Sequence, residues 1–528
     1  MRKTLLGFLT ILALFYSVPF GLAAETDGFV PIFNGKDLDG WDGNPAIWSV
    51  EDGCITGVTG TNDDNKLTYN EFLIWRQGEV DDFVLTFDFK LSNPGNSGMQ
   101  VRSWEDVSDP EKPWRVYGYQ PDFDGDATYT GIIYGENYRG ILAQRGQETV
   151  IGDDHKPKEV KRFAEDADIK KQIKIEDWNH YEITAQGDEI TAKVNGVMTS
   201  KCTDNDKEMR RRSGIVAIQV HVGPAMKVQI KNLLLKRLPL QDKKKIVLIG
   251  GPRSHGYGMH THTASFKLVA DWLNKYTNDT LCAVYTNGWP KDPTAFDNAD
   301  CVVVFCDGGG GHIAIPHIDQ LRKLMAKGVG VMMFHYAVEM PAGREGDFLR
   351  DATGGYFELN WSVNPFFNAE IKTLCDHPVT RGVVPFSIDD EWYYHMRFRP
   401  DMKGVTPILS CVPPDNTREQ PFSAHGGNQT VRDEKGNTEH LAWCVEREDG
   451  GRGLGFTGGH IHWNWAHPQF RKFVLNAIVW TAGAEVPANG VDVPTPTWEE
   501  LEANQDYEPN MSPADIQHWK DKIKKWNE

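Results

Sequence analysis

Histidines crowd one part of this 528-residue chain: thirteen of the seventeen fall between His255 and His467. Several follow short apolar runs directly. IVLIG at 246–250 breaks into GPRSHGYGMHTH, with His255, His260 and His262, and VVVF at 302–305 is followed by CDGGGGH, ending at His312. VMMF at 331–334 leads into His335 and Tyr336, and GLGFTGG runs into HIHWNW, with His460 and His462. One histidine at a strand end is usually a satisfied neutral side chain; four strand ends delivering histidine to the same rim predict a functional cluster. The pairs His260/His262 and His460/His462 have H-x-H spacing. In an extended chain each pair projects to one side, roughly 6.5–7 Å apart, a reach that suits shared metal ligation. A divalent metal is the cofactor such a set would take, with Glu339, Glu358, Asp389, Asp390 or Glu391 to complete it.

A second set of polar residues lies in the first half. In SGMQVRS, Met99 and Val101 alternate with Gln100 and Arg102; in YGYQPD, Tyr117 and Tyr119 oppose Gly118, Gln120 and Asp122. In SGIVAIQVHVG, Val216, Ile218, Val220 and Val222 form a core face and leave Gln219 and His221 on the other. One sheet face would gather Arg102, Gln120, Asp122, Gln219 and His221. It is either a solvated exterior or, because Gly98, Gly118 and Ala217 would leave it hollow, a ligand-binding face.

Two kinds of element must position these sets. From Asp27 to about Leu240 the pattern is alternation with turn signals, as in Phe83, Leu85, Phe87, Phe89 and Leu91 on one face of FVLTFDFKL; many short strands with glycine-rich turns predict a β-sandwich. KRLPLQDKKK closes that domain, spanning 27–240. A second domain, 244–488, alternates strands with helices and predicts a parallel β-α-β sheet, whose ligands bind beyond the carboxyl ends of the strands. Its first helix is expected from Thr263 as N-cap, with Phe266, Val269, Ala270 and Leu273 on one face. A tail, 489–528, ends in a short helix capped by Ser512. Residues 1–24 read as a secretory signal peptide, so export to the periplasm or beyond is expected, with no membrane span in the mature chain. A net charge of −18 argues against nucleic acid. Eight scattered cysteines make neither a metal spacing nor a dense disulfide framework.

The motifs carry two resemblances. SHGYGMH, FCDGGGGH, FHYAVEMP, TGGYFE, DHPVTRGV, DDEWYY and GRGLGFTGGHIHWNW resemble the ThuA-like, trehalose-utilisation family, which implies a class I glutamine amidotransferase-like α/β fold. The strand that carries the catalytic cysteine in amidotransferases here delivers His335 and Tyr336. Cys306 lacks a G-x-C-x-G context, which argues against thiol acyl transfer. FNGKDLDGW, WSVEDGCI, NSGMQVRS, GYQPDFD, TGIIYG, WNHYEITAQGDEITAKVNG and IQVHVGP are similar to the 3-keto-disaccharide hydrolase family, which implies a concanavalin-like jelly-roll sandwich. That family often has glutamate where Gly118 stands, so no acid carries over at that position.

Together the resemblances imply an enzyme acting on glycosides oxidised at C3. The ketone acidifies the C2 proton, a base removes it, and the C1 oxygen leaves by elimination before water adds. Two closely spaced carboxylates are then unnecessary, in contrast to ordinary glycosidases. His221 or Asp122 would serve as base, with Arg102 or a metal near the enolate. Gln100, Gln120, Tyr134 and Gln219 would bind substrate in the sandwich. In the second domain His335 and Glu391 would bind or isomerise a keto sugar by a similar enolate, with His255 and Tyr336 as binding residues and His260, His262, His460 and His462 as metal ligands. The alternative is a carbohydrate-binding sandwich attached to a sugar-processing ThuA-like domain. No nucleotide fingerprint stands in a strand-to-helix turn, so a separate sugar 3-dehydrogenase is the expected pathway partner and no nucleotide cofactor is expected.

Overall fold

The computed structural model describes residues 27–528; the expected signal peptide lies outside the described residues. The first half is two antiparallel-rich sheets packed face to face. The site-bearing sheet runs Gly140–Ala143, Ile133–Glu136, Val116–Asp124, Asn96–Glu105, Ile215–Val220, Glu71–Trp75 and Trp41–Asp42, every neighbouring pair antiparallel. Alternation places Met99, Val101, Val216, Ile218 and Val220 inward against Phe83, Leu85, Phe87 and Phe89 of the second sheet, all of them buried. Each such side chain contributes about 1.5–3 kcal/mol of burial free energy, which fixes the register of both sheets.

The α/β domain is built on a sheet ordered Thr280–Tyr285, Lys244–Gly250, Cys301–Phe305, Gly330–Phe334, Arg452–Phe456, Glu439–Glu446 and Val405–Cys411. Its first five strands are parallel and the last two antiparallel. The uninterrupted apolar runs serve both faces. Ile246 and Leu248 pack with Phe266 and Leu273 of helix His262–Tyr276 and with Phe470 and Phe473 of helix Pro468–Thr481. Val247 and Ile249 pack with Leu321 of helix Ile318–Met325 and Phe348 of helix Arg344–Thr353. The first helix starts at His262 with Thr261 at the N-cap, two residues before the position expected from Thr263.

Buried charge joins the domains. Arg237, from the last sandwich strand Met226–Arg237, reaches Asp81 at 3.2 Å and Asp292 of the α/β domain at 2.9 Å, and Lys245 reaches Asp81 at 3.2 Å. The C-terminal helix Pro513–Asn527 is capped by Ser512 and lays Trp519, Ile523 and Trp526 on the α/β core, with Lys522 on Asp389 at 2.9 Å. All eight cysteines are free thiols. Among the described residues no helix is long and apolar enough to cross a membrane.

Candidate functional site

Two loops, leaving the ends of strands Lys244–Gly250 and Arg452–Phe456, are zipped together across the two strands between them. The His260 amide donates to the His460 carbonyl at 3.0 Å and the His462 amide to the Gly258 carbonyl at 2.9 Å. Gly459 permits the approach: its φ is +120°, and a Cβ there would lie 2.3 Å from the Phe334 ring. Asp390 fixes the loop from below, accepting from the amides of Gly459 at 2.7 Å, Ile461 at 3.2 Å and Glu391 at 2.9 Å. Its burial pushes that carboxyl up to about 6, against the pull of these bonds and of His460.

The result is a convergence of four donor atoms. His260 Nε2 lies 3.1 Å from His335 Nε2 and 2.8 Å from His460 Nδ1, while Glu391 Oε2 lies 3.1 Å from His460 Nδ1 and 3.6 Å from His335 Nε2. Outward bonds set the tautomers. His335 Nδ1–H donates to the Thr457 carbonyl at 2.7 Å, and His260 Nδ1–H donates to Asp307 at 3.1 Å, so both Nε2 atoms present lone pairs to each other. Burial, and next the neighbouring imidazoles, hold His260 and His335 well below the usual histidine range, which keeps those lone pairs free. Two buried lone pairs 3.1 Å apart with no proton between them repel, and a cation relieves the repulsion. Three imidazole nitrogens and one carboxylate, with the outward N–H groups of His260 and His335 satisfied, fit a divalent metal such as zinc. The backbone is strained here too: His255, His260 and His335 have φ of 58°, 45° and 54°.

Other groups ring the cluster. The His255 ring stacks on His260 at 3.6 Å between centroids and stays partly exposed. Tyr393, which the sequence reading passed over, places its hydroxyl 3.4 Å from His335 Nε2 and 3.2 Å from Glu391; burial and then Glu391 raise its pKa well above the ordinary value, so it remains a donor. Asp307, from the CDGGGGH loop, was passed over as well. Tyr336 sits 5.8 Å from His260, between ring centroids, on the turn His335–Val338.

Three expected members lie elsewhere. His262 opens a helix and His462 opens the turn His462–Ala466, so neither H-x-H pair is extended and the second histidine of each is rotated away. His262 donates Nδ1–H to the Pro252 carbonyl at 3.0 Å. His462 Nε2–H donates to the Leu501 carbonyl at 3.0 Å and Nδ1 bonds Thr261 Oγ1 at 2.5 Å, tying the tail to the helix start. His312 donates to the Ala337 carbonyl at 3.0 Å and is a buried structural residue. The cluster therefore holds His335 and Glu391 in place of His262 and His462. Cys306 is wholly buried, and burial pushes its thiol far above the ordinary value, which suits no nucleophile.

In the sandwich, strand alternation predicts Arg102 beside Gln100, and the structure differs. A bulge shifts the register between Ile215 and Ala217 and between Val101 and Trp104, and Arg102 has a φ of 48°. The extra residue turns Arg102 off the polar face. Its guanidinium donates to the Asp81 carbonyl at 2.7 Å, the Gly187 carbonyl at 2.8 Å and Asp82 at 2.7 Å, and Ser103 takes its place beside Gln100 at 2.6 Å. The expected hollow is filled: a Cβ at Gly98 would meet Gln120 at 2.4 Å and one at Gly118 would meet Ser103 Oγ at 2.4 Å. His221 turns its Nδ1 to the carbonyl of its own neighbour Val222 at 2.6 Å.

The remaining polar residues do share a face. Gln100 donates to Gln120 at 2.7 Å, and Gln120 donates to Asp122 at 2.6 Å and to Gln219 at 3.4 Å. Gln219 keeps an unpaired, buried Nε2. Tyr134 pairs across from Gln120, and Glu136 pairs across from Gly118, so a carboxylate stands opposite the position where the resemblance lacks one. Burial raises the Asp122 pKa well above the ordinary value, with Glu136 and Asp124 adding to it and the Gln120 bond opposing it.

Comparison with known proteins follows the same division. A curated 3-keto-disaccharide hydrolase of Bacteroides thetaiotaomicron is 32% identical over 89 residues, spanning 15% of this chain and 28% of that relative, so the chain matches less than a third of its length. A solved chain from Parabacteroides distasonis, provisionally described as a glycosyl hydrolase, covers 40% of this chain and is itself covered to 99%, with 18% identity and a TM-score of 0.27. One from Bacteroides uniformis, provisionally described as thua-like, covers 46% of this chain and is covered to 94%, with 14% identity and a TM-score of 0.33. Residues 28–236 match the family model described as a 3-keto-alpha-glucoside-1,2-lyase-like domain, and residues 258–481 match the model described as trehalose utilisation, ThuA. The chain thus joins a domain of the 3-keto-disaccharide hydrolase family to a ThuA-like domain, in that order.

Proposed function

We propose that this is a carbohydrate-active enzyme acting on glycosides oxidised at C3, and that it works through a C2 enolate at the α/β rim. The observation that carries this reading is the convergence of His260, His335, His460 and Glu391 at the strand ends. The family match of residues 28–236 and the name of the curated relative support the substrate class, and the trehalose-utilisation match of residues 258–481 supports a carbohydrate substrate. A divalent cation held by those four residues would supply Lewis acidity toward the C3 carbonyl oxygen, where negative charge develops. The chain's own groups do the rest: Asp307 and the Thr457 carbonyl orient His260 and His335, Tyr393 offers its hydroxyl to the same space, and His255 and Tyr336 flank it. The sandwich serves carbohydrate recognition, with half-buried Tyr134 set beside the buried network of Gln100, Gln120 and Gln219. In this reading the chain works after export, and a separate sugar 3-dehydrogenase makes the ketone.

Asp122 favours a second reading, in which the sandwich itself carries acid–base chemistry: it is a buried carboxyl on the polar face, near Glu136, and burial raises its pKa and so favours its proton-bearing form. The test is product release by the full chain from a 3-keto-glucoside and from the unoxidised glucoside, before and after chelation. Cleavage of the keto sugar alone, lost on chelation and restored by zinc or manganese, is expected. Equal cleavage of both glycosides contradicts the reading.

A further inference from the structure

We infer that His425, held by Glu339, is the group that moves the proton at this rim; the inference rests on the rim being the keto-glycoside site. His425 comes from the segment between strands Val405–Cys411 and Glu439–Glu446, and lies in sequence between Glu391 and His460. Its Nε2 lies 2.9 Å from Glu339 Oε2, and the Glu339 side chain is 3% exposed while that of His425 is 35% exposed. A carboxylate so buried, bonded to an imidazole whose other edge reaches solvent, matches the arrangement by which carboxylates orient catalytic histidines. Among the described residues Nδ1 of His425 has no hydrogen-bond partner.

The pair is fixed on several sides and shares Tyr336 with the cluster. Between ring centroids, Phe357 stacks on His425 at 5.5 Å and Tyr336 lies 6.2 Å from it in an edge-on contact; Tyr336 is also 5.8 Å from His260. Glu339 follows the turn His335–Val338, so one turn carries both a cluster ligand and the carboxylate of the pair. The glycine run makes room: a Cβ at Gly308 would lie 2.7 Å from Glu339 Cβ, and the Gly309 amide donates to the Glu339 carbonyl at 3.1 Å. The Glu339 bond is the leading influence raising the His425 pKa, with Glu391 adding to it.

The step balances without an added reagent. Nδ1 of neutral His425 takes the C2 proton; the C2–H pair becomes the C2=C3 bond and the C3 oxygen takes the negative charge. The imidazolium formed is matched by Glu339. The enolate pair then re-forms C3=O and makes C1=C2, the C1–O bond breaks with its pair going to the departing oxygen, and that oxygen takes the proton from Nδ1. Water adds across C1=C2 to complete hydrolysis.

Kinetics of the full-length His425→Ala and His425→Gln variants on a 3-keto-glucoside test this, alongside their zinc content and thermal transition. Expected are a kcat lower by about 10²–10⁴ with KM, zinc content and the transition unchanged, and partial rescue of His425→Ala by added imidazole. Glu339→Gln, a positioning variant, lowers kcat with KM retained. Wild-type kcat in both His425 variants overturns the inference while leaving the proposed function standing, and so does a kcat loss that follows zinc loss or unfolding. No turnover by the wild-type chain removes the proposed function itself.

Discussion

Removing Asp307 tests the metal-site geometry at a residue one step from the donor atoms. Asp307 accepts from His260 Nδ1 at 3.1 Å and so holds His260 in the tautomer whose Nε2 points at His335 and His460. Loss of an outer partner of this kind typically weakens a metal site 10–100-fold. The Asp307 side chain is 42% exposed, so water takes over part of its role, and the low end applies: Asp307→Ala should weaken zinc about 10-fold, about 1.4 kcal/mol. Asp307→Asn keeps an acceptor oxygen and should lose less. His335→Ala removes a donor atom from a wholly buried position and should abolish tight binding. Competition of the metal-stripped full chain with a fluorescent zinc chelator measures all three. Equal affinity in wild type and His335→Ala would refute the site. A collapse in Asp307→Asn as deep as in His335→Ala would make Asp307 a direct ligand and refute the assignment of donor atoms.

Other perturbations separate structural from chemical roles. Arg102→Met removes a buried guanidinium from Asp82 and should cost about 3–5 kcal/mol in chemical denaturation with kcat of the folded fraction intact; lost activity at unchanged stability would return Arg102 to the catalytic set. Asp122 binds its proton more tightly folded than unfolded, so its contribution to stability is greatest below the ordinary carboxylate pKa and falls as pH rises through the raised folded value. Asp122→Asn should flatten that fall in urea midpoints measured from pH 4 upward, and a steeper fall in the variant would contradict it. Gly459→Ala places a Cβ against Phe334 in the loop carrying His460, and should destabilise by about 1–3 kcal/mol and weaken zinc; a variant with wild-type melting and affinity would show the loop to be slack.

What the residues revealed and hid follows from local backbone geometry. Continuous apolar runs such as IVLIG and VMMF read directly as parallel strands, so the delivery of His335 to the rim was legible, and so was the inward face of FVLTFDFKL. H-x-H misled because its arithmetic assumes extended chain, whereas His262 and His462 each begin a helical turn. Arg102 misled because one bulge residue with positive φ inverts alternation beyond it, and no residue type in SGMQVRS announces a bulge. Small residues at Gly98 and Gly118 were read as a hollow, while Gln120 and Ser103 fill the space they leave. Asp307 in FCDGGGGH and Tyr393 in DDEWYY carried a usable signal: polar groups in the same motifs as the site residues. His425 carried none, since only the folded chain brings its loop to Glu339.

The most direct test of the central claim is proton exchange at C2 of a 3-keto-glucoside in heavy water, followed by NMR. The full-length wild type, His335→Ala and Asp122→Asn would be compared, with the unoxidised glucoside as control. The account predicts exchange of the keto sugar alone by wild type and by Asp122→Asn, and none by His335→Ala. Exchange that survives His335→Ala and disappears in Asp122→Asn would contradict it and move the enolate chemistry to the sandwich.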